Sequence, residues 1–286
     1  LLENYFTMSA EMCDCFDNRR AGVNHILNEI KKIKYDSYIF SKDGFSKLNT
    51  KYKVHTDKVG SYNWYATALF VSKFIDNVVV IDFGSTTCDF LIIKNGKILN
   101  RRTSDINGML TKELLYTGCA RTPIYAHISE IRFRKKIYNI IPENFSSMSD
   151  VNLILGKLKK QDIYSKSSDG SSHSLLQSYK RISRSFGFDY DSSKRNLLNN
   201  LCLKIFDNQV DLINKTLSFH SNKYFKHSKY IVVGLGLGSR IISKMCQQNR
   251  YDYLDIRDIL KDTILNGDYL SNLFPAFVLN RLSNEL

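Results

Sequence analysis

Residues Val78 to Leu91, VVVIDFGSTTCDFL, constrain the chain more than any other stretch. A mostly β-branched apolar run reaches Asp82, passes Gly84-Ser85-Thr86-Thr87, and after Asp89 a second apolar run returns to a turn at Lys94-Asn95-Gly96-Lys97. Period and punctuation predict a buried strand, a tight polar turn and a returning strand. Gly84 lets the backbone approach a ligand closely. Ser85, Thr86, Thr87 and the loop N–H groups suit phosphate oxygens, and Asp82 with Asp89 suits a hydrated Mg²⁺. The plain alternative is a hairpin with a hydroxyl-rich turn, but a hairpin needs only Asn-Gly-type punctuation and no acid on each side.

At 286 residues the chain is long enough for one large or two ordinary domains, and 43% hydrophobic against 24% charged residues is the balance of a globular protein. No apolar run reaches bilayer length and no basic-then-apolar leader opens the sequence, so a cytoplasmic chain without membrane partners is expected. Cys13, Cys15, Cys88, Cys119, Cys202 and Cys246 show no framework spacing, and the Cys13-x-Cys15 pair lacks a second pair for zinc; reduced, unligated thiols are expected. The net charge of +13 is spread along the chain without a nucleic-acid motif, so no nucleic-acid partner is expected; the same field favours a small anionic substrate.

In chain order, Leu1 to Phe6 predicts a strand end, and Thr7 or Ser9 caps a short helix with Glu11 in its first turn. Glu11 and Asp14 read equally as helix-start acids or as substrate-facing groups. A helix is predicted over Arg20 to Ile33, and short strands over Tyr38 to Phe45 and Val54 to Val59. Ser61 to Val71 predicts a helix under the central strand, with Trp64 as a core anchor rather than a ligand-stacking ring. Asn107 to Tyr116 reads as helical. In Tyr116-Thr117-Gly118-Cys119-Ala120-Arg121-Thr122-Pro123, an arginine among small residues suits forking a phosphate or carboxylate. Ile128 to Ile141 reads as a basic, strand-rich exposed element, Asp150 as a cap or a ligand, and Lys159 to Ser174 as a mobile loop. Helices follow over Leu175 to Phe186 and Asn196 to Leu217. Finally, Tyr230 to Ser239 runs a strand into Gly234, Gly236 and Gly238. The third glycine is one residue early for GxGxxG, so a phosphate or nucleoside contact at a helix start is the functional reading, and close strand-to-helix packing the structural one.

Strand-D-x-G-S-T-T-x-D-strand followed at a distance by strand-G-x-G-x-G-helix resembles the second phosphate loop and glycine-rich loop of the acetate kinase, sugar kinase, Hsp70 and actin superfamily. Its hydantoinase A and oxoprolinase branch is the nearest in pattern. TMSAEMCDCFDNRRAGV, YNWYATA, IDFGSTTCDF, ELLYTGCARTPI and KRISRSFGFD are similar to the tetrahydromethanopterin-linked one-carbon transfer pathway proteins, a group with an enzyme of methanofuran biosynthesis. The resemblance implies an α/β, actin-like (RNase H-like) two-domain fold with mixed sheets. Residues 1–76 would be the remainder of the first subdomain, and 77–286 the second, with an insertion at about 125–195. It places Asp82, Gly84, Ser85, Thr86, Thr87 and Asp89 against a diphosphate and Mg²⁺, with Thr117, Gly118, Gly234, Gly236 and Gly238 as further phosphate contacts. Glu11, Asp14 and Arg121 are its catalytic candidates. The superfamily's first D-x-G loop is absent from this chain, as in a fragment or a degenerate member, and Lys112 stands where the family usually has glycine.

The implied reaction joins a tyramine-derived amine to an aminomethylfuran diphosphate with loss of diphosphate. Arg121, the loop N–H groups and Mg²⁺ would stabilise the departing group, with Glu11 or Asp14 as base. Two other classes share these loops: an ATP-dependent hydantoinase-type hydrolase or small-molecule kinase, and a non-catalytic binding or scaffold protein.

Overall fold

The computed structural model describes residues 3–48, 59–260 and 274–284. Its central sheet is built on β1 (Val78–Phe83) and β2 (Cys88–Lys94), an antiparallel pair in which Asp82 faces Asp89. Asn95 and Gly96 turn with positive φ into β3 (Lys97–Ile98), and β4 (Leu114–Leu115) also pairs with β2. On the other side β5 (Ile231–Leu235) runs parallel to β1, and β6 (Tyr253–Leu254) parallel to β5. Along the main path the order is β6-β5-β1-β2-β3. An antiparallel meander flanked by parallel strands is the mixed, RNase H-like arrangement that the resemblance implies.

Strand β1 is apolar from Val78 to Ile81 because it is buried there on both faces. Val78 and Val80 pack with Leu91, Ile93, Val233 and Leu235 against α1 (Asn63–Ser72) and against α2 (Phe274–Ser283) near the C-terminus. Val79, Ile81 and Phe83 pack with Phe90, Ile92 and Val232 against α3 (Arg195–Tyr224) and α4 (Ser239–Asn249). Because side chains alternate along a strand, Asp82 and Asp89 fall on the α1 face, at the end of its apolar layer.

A smaller three-stranded sheet holds β7 (Glu3–Phe6), β8 (Asp36–Ser41) and β9 (Gly44–Lys47), with β7 parallel and β9 antiparallel to β8. Helix α5 (Arg19–Lys31) joins β7 to β8 and is capped by Asn18, whose side chain accepts from the Ala21 N–H. Two expectations for this region change. Tyr38 to Phe45 is not one strand but a hairpin, β8 turning at Lys42-Asp43 into β9. Residues around Glu11 form turns instead of a capped helix, because the Gly22 Cα sits so close to the Glu11 carbonyl that the two segments pack backbone to backbone. The strand expected over Val54 to Val59 lies, except for Val59, outside the described residues.

Helix α6 (Asp105–Thr111) is shorter than the sequence predicts and stops at Lys112, whose backbone is left-handed at φ 59° and ψ 19°. A lysine holds this left-handed position, where the resemblance leads one to expect glycine, at a cost of roughly 1–2 kcal/mol. The chain then returns as β4.

Between residues 124 and 195 a separate apolar cluster forms. The basic hairpin β10 (Glu130–Phe133) and β11 (Lys136–Asn139) contributes Ile131, α7 (Met148–Ile154) contributes Met148 and Val151, and α8 (Leu175–Ser185) contributes Tyr179 and Ile182. All pack on Leu198, Leu201 and Ile205 of α3. Arg181 is fully buried here. Its Nε and Nη2 donate to Asp150 Oδ1 at 2.9 and 2.6 Å, and Nη1 donates to Asp169 Oδ1 at 3.1 Å and Ser171 Oγ at 2.7 Å. Asp150 is therefore a cap and an ion-pair partner: its Oδ2 accepts from the Ser147 N–H at the start of α7. The stretch expected as a mobile loop is pinned through Asp169. Burial alone would raise the Asp169 pKa, but hydrogen bonds from Ser171 and the Arg181 charge outweigh it and hold this carboxyl well below the usual range.

Arg181→Leu should lower folding stability by about 3–5 kcal/mol, since it strands the buried Asp150 carboxylate; urea unfolding of the variant checks this.

Candidate active site

Two cross-strand carboxylates repel unless something compensates them, and the chain supplies an arginine. Asn100 extends the β2 ladder: its Oδ1 accepts from the Ile92 N–H at 2.7 Å and its Nδ2 donates to the Phe90 carbonyl at 2.8 Å. The chain is thereby laid beside β2, and the Glu113 carboxylate fixes it there by accepting from the Arg101 and Arg102 N–H groups, both at 3.1 Å. Arg102 then reaches Asp89, Nη1 to Oδ1 2.5 Å, while its guanidinium lies 4.5 Å from the centre of the Trp64 ring on α1. Trp64 is a buried shelf under the arginine, a contact worth about 0.5–2 kcal/mol.

Asp82 is left as the less compensated acid. Burial first, and then the Asp89 charge, push its pKa up to about 7 against the opposing pull of Arg102. Gly236, at φ 75°, comes so close that a Cβ there would lie 2.5 Å from Asp82 Oδ1 and 2.7 Å from the Phe83 carbonyl. The other two glycines serve packing: a Cβ at Gly238 would overlap the Phe83 ring, and one at Gly234 would press on the Tyr253 hydroxyl and Ile242. The Gly238 N–H donates to the Phe83 carbonyl at 2.8 Å. Among the described residues no group of three or more His, Cys, Asp or Glu could hold a metal ion.

The loop between β1 and β2 closes on itself through Gly84 N–H to Thr87 carbonyl, 2.9 Å. The segment 118–121 docks beneath it. Cys119 N–H donates to the Gly84 carbonyl at 3.0 Å, and the Ala120 and Arg121 N–H groups donate to the Ser85 carbonyl at 3.2 and 2.8 Å. In a trans peptide the N–H points opposite to the C=O. With the Gly84 and Ser85 carbonyls both turned toward 119–121, the N–H groups of Ser85 and Thr86 face the other way, and neither finds an acceptor among the described residues. Successive N–H groups presented together make an anion-binding concavity. Gly118 is obligatory for this approach, since a Cβ would lie 2.1 Å from the Ser85 carbonyl oxygen. Thr87 Oγ1 lies 3.5 Å from Asp89 Oδ2.

The remaining candidates fall at different depths. Thr117 is buried, its hydroxyl held by Gln209 Nε2 at 2.8 Å and 3.2 Å from His127 Nε2. The Arg121 side chain is exposed. Glu11 is buried: Oε1 accepts from the Ser61 hydroxyl and lies 4.0 Å from Arg19 Nε, while Oε2 has no partner. Ser61 itself is left-handed at φ 56°. Asp14 is exposed. Tyr116, half exposed, donates to Asp105 Oδ2 at 2.5 Å. Its phenol is raised to about 12 by burial first, then by that bond and by nearby carboxylate charge, chiefly Asp105. Beside it α6 exposes Ile106, Met109 and Leu110. Sequence reasoning missed Arg102, Glu113 and Ser61; the signal for Arg102 was charge balance, two facing acids requiring a cation close in space.

A family model described as hydantoinase/oxoprolinase matches residues 4–248. The chain belongs to the hydantoinase/oxoprolinase family. It is 29% identical over 292 residues, 99% of this chain and 85% of the relative, to a (4-{4-[2-(gamma-L-glutamylamino)ethyl]phenoxymethyl}furan-2-yl)methanamine synthase of Methanocaldococcus jannaschii. A protein of the same name from Methanococcus vannielii is 31% identical over 225 residues, 77% of this chain and 97% of the relative. Among solved structures, a nucleotide-free acetone carboxylase from a study of ATP-dependent acetone carboxylation matches at TM-score 0.49 and 15% identity, covering 76% of this chain and 32% of that one.

Burial lowers the His127 pKa to about 4, so the folded protein keeps this imidazole neutral where the unfolded chain already binds a proton. Its contribution is full above about pH 6.5 and is lost progressively as pH falls toward 4, by about 3 kcal/mol in all. Melting temperature against pH should show this slope, and His127→Gln should flatten it.

Proposed function

We propose that this chain is a transferase of methanofuran-type cofactor assembly that joins a tyramine-derived acceptor to an aminomethylfuran diphosphate and releases diphosphate. The relatives' printed product is a phenoxymethylfuran in which the glutamyl group occupies the ethylamine nitrogen. The atom that forms the new bond is accordingly the phenol oxygen of the acceptor. This replaces the amine nucleophile expected from the sequence with a phenol oxygen, making the reaction an aryl ether synthesis. The C–O bond to diphosphate breaks, the phenol oxygen bonds to the furan methylene carbon, and the phenol proton passes to a base.

The observation that carries this reading is the pairing of Asp82 and Asp89 beside Arg102 with the outward Ser85 and Thr86 N–H groups. The N–H pair suits the phosphate oxygens of the leaving group, with Arg121 exposed on the segment docked to the same loop. An under-compensated carboxylate at Asp82, with Asp89 opposite, fits Mg²⁺, which binds through one or two carboxylates plus substrate phosphates. When bound, such an ion would neutralise charge on the departing diphosphate. Of the two proposed bases, Glu11 is the buried one, with Oε2 unpartnered among the described residues. The Ser61 hydroxyl, already donating to Glu11, can take the phenol proton and pass its own to that carboxylate. Tyr116 with Ile106, Met109 and Leu110 offers an exposed apolar surface for the aryl ring of the acceptor.

Asp82→Asn should abolish turnover, more than about a hundredfold, while leaving the melting temperature in place. Calorimetry with inorganic diphosphate and with ATP, each with Mg²⁺, separates the readings. Diphosphate binding that disappears in Asp82→Asn supports the transferase. Tight ATP binding would replace it with the hydrolase or kinase reading, and binding of neither would leave a scaffold.

A further inference from the structure

Two buried amide side chains from outside the central sheet grip consecutive carbonyls of the segment that supports the loop. Gln209 on α3 donates through Nε2 to the Gly118 carbonyl at 2.9 Å and to Thr117 Oγ1 at 2.8 Å, and lies 3.3 Å from His127 Nε2. Asn152 on α7 donates through Nδ2 to the Cys119 carbonyl at 2.7 Å. Both residues are fully buried, and the carbonyl oxygen of each amide, Gln209 Oε1 and Asn152 Oδ1, has no partner. An unpartnered buried acceptor costs free energy, so the fold keeps these amides at a stability cost, for their donors alone.

Peptide geometry shows what the donors achieve. Holding the Gly118 and Cys119 carbonyls on the side of α3 and α7 turns the Cys119 and Ala120 N–H groups toward the Gly84 and Ser85 carbonyls. Those carbonyls in turn aim the Ser85 and Thr86 N–H groups away from the segment. We propose that Gln209 and Asn152 form an amide clamp that orients the anion-binding loop at two removes, making them positioning residues that tie α3 and α7 to the site. The clamp also explains why Thr117 is buried: its hydroxyl is a second hold for Gln209.

The test pairs hydrogen exchange with binding on the full chain. Gln209→Met keeps the volume and removes the orphaned acceptor but leaves the Gly118 carbonyl unpaired, so the variant should stay folded with a modestly lower melting temperature. Exchange at Cys119, Ala120 and Arg121 should quicken about tenfold, with Ile81 and Leu91 unchanged, and inorganic diphosphate with Mg²⁺ should bind about tenfold more weakly. Asn152→Leu should act alike, and decides the matter if Gln209→Met loses its fold. Unchanged exchange at 119–121 overturns the clamp whatever the ligand is. The binding arm rests on the diphosphate reading: faster exchange in the variant, with no diphosphate binding by either protein, upholds the clamp and removes that reading.

Discussion

Everything near the site depends on one arrangement, two carboxylates held face to face at the ends of antiparallel strands. Asp82 and Asp89 are there because β1 and β2 are locked in register by a layer buried on both faces, and a register slip would move either acid to the opposite face. Left alone the pair would repel. Arg102, shelved on Trp64 and steadied by Glu113, neutralises one member and leaves Asp82 partly uncompensated. That unbalanced negative group, near N–H donors without a protein partner among the described residues, is what the proposed metal diphosphate reading draws on.

The loop above the pair is shaped from below. Its own closure, Gly84 to Thr87, fixes only the turn; the direction of its N–H groups is imposed by 118–121, and that segment is held by amides from α3 and α7. Stability in the outlying helices thus bears on the site. Arg181 binds Asp150 and Asp169 together, so α7, which carries Asn152, is anchored at its first turn by a buried ion pair. Such pairs contribute little net stability, but losing one partner is severe, which makes the arrangement all-or-none.

Much of this was legible in the sequence. The two strands, the loop, the acids and the ELLYTGCARTPI block were all found by period, punctuation and resemblance, because those signals are local. The Glu11 segment was read as a helix because capping residues stood at the right spacing, yet contact with Gly22 set its conformation. Lys159 to Ser174 looked mobile because it is polar and weakly patterned, yet Asp169 reaches Arg181 across the packing. Asp150 could be narrowed only to cap or ligand, and it is a cap whose second oxygen serves Arg181.

By itself the sequence determined the β-turn-β unit, the position of its two acids and the family, since alternation, glycine placement and acid spacing act over a few residues. Tertiary structure alone decided which acid is neutralised, which glycines touch the site, and where Gln209 and Asn152 act. Those outcomes rest on contacts between residues about 13 to more than 150 positions apart, Asp89 with Arg102 and Asp82 with Gly236 among them. No local pattern encodes them, because they exist only once packing has brought the segments together.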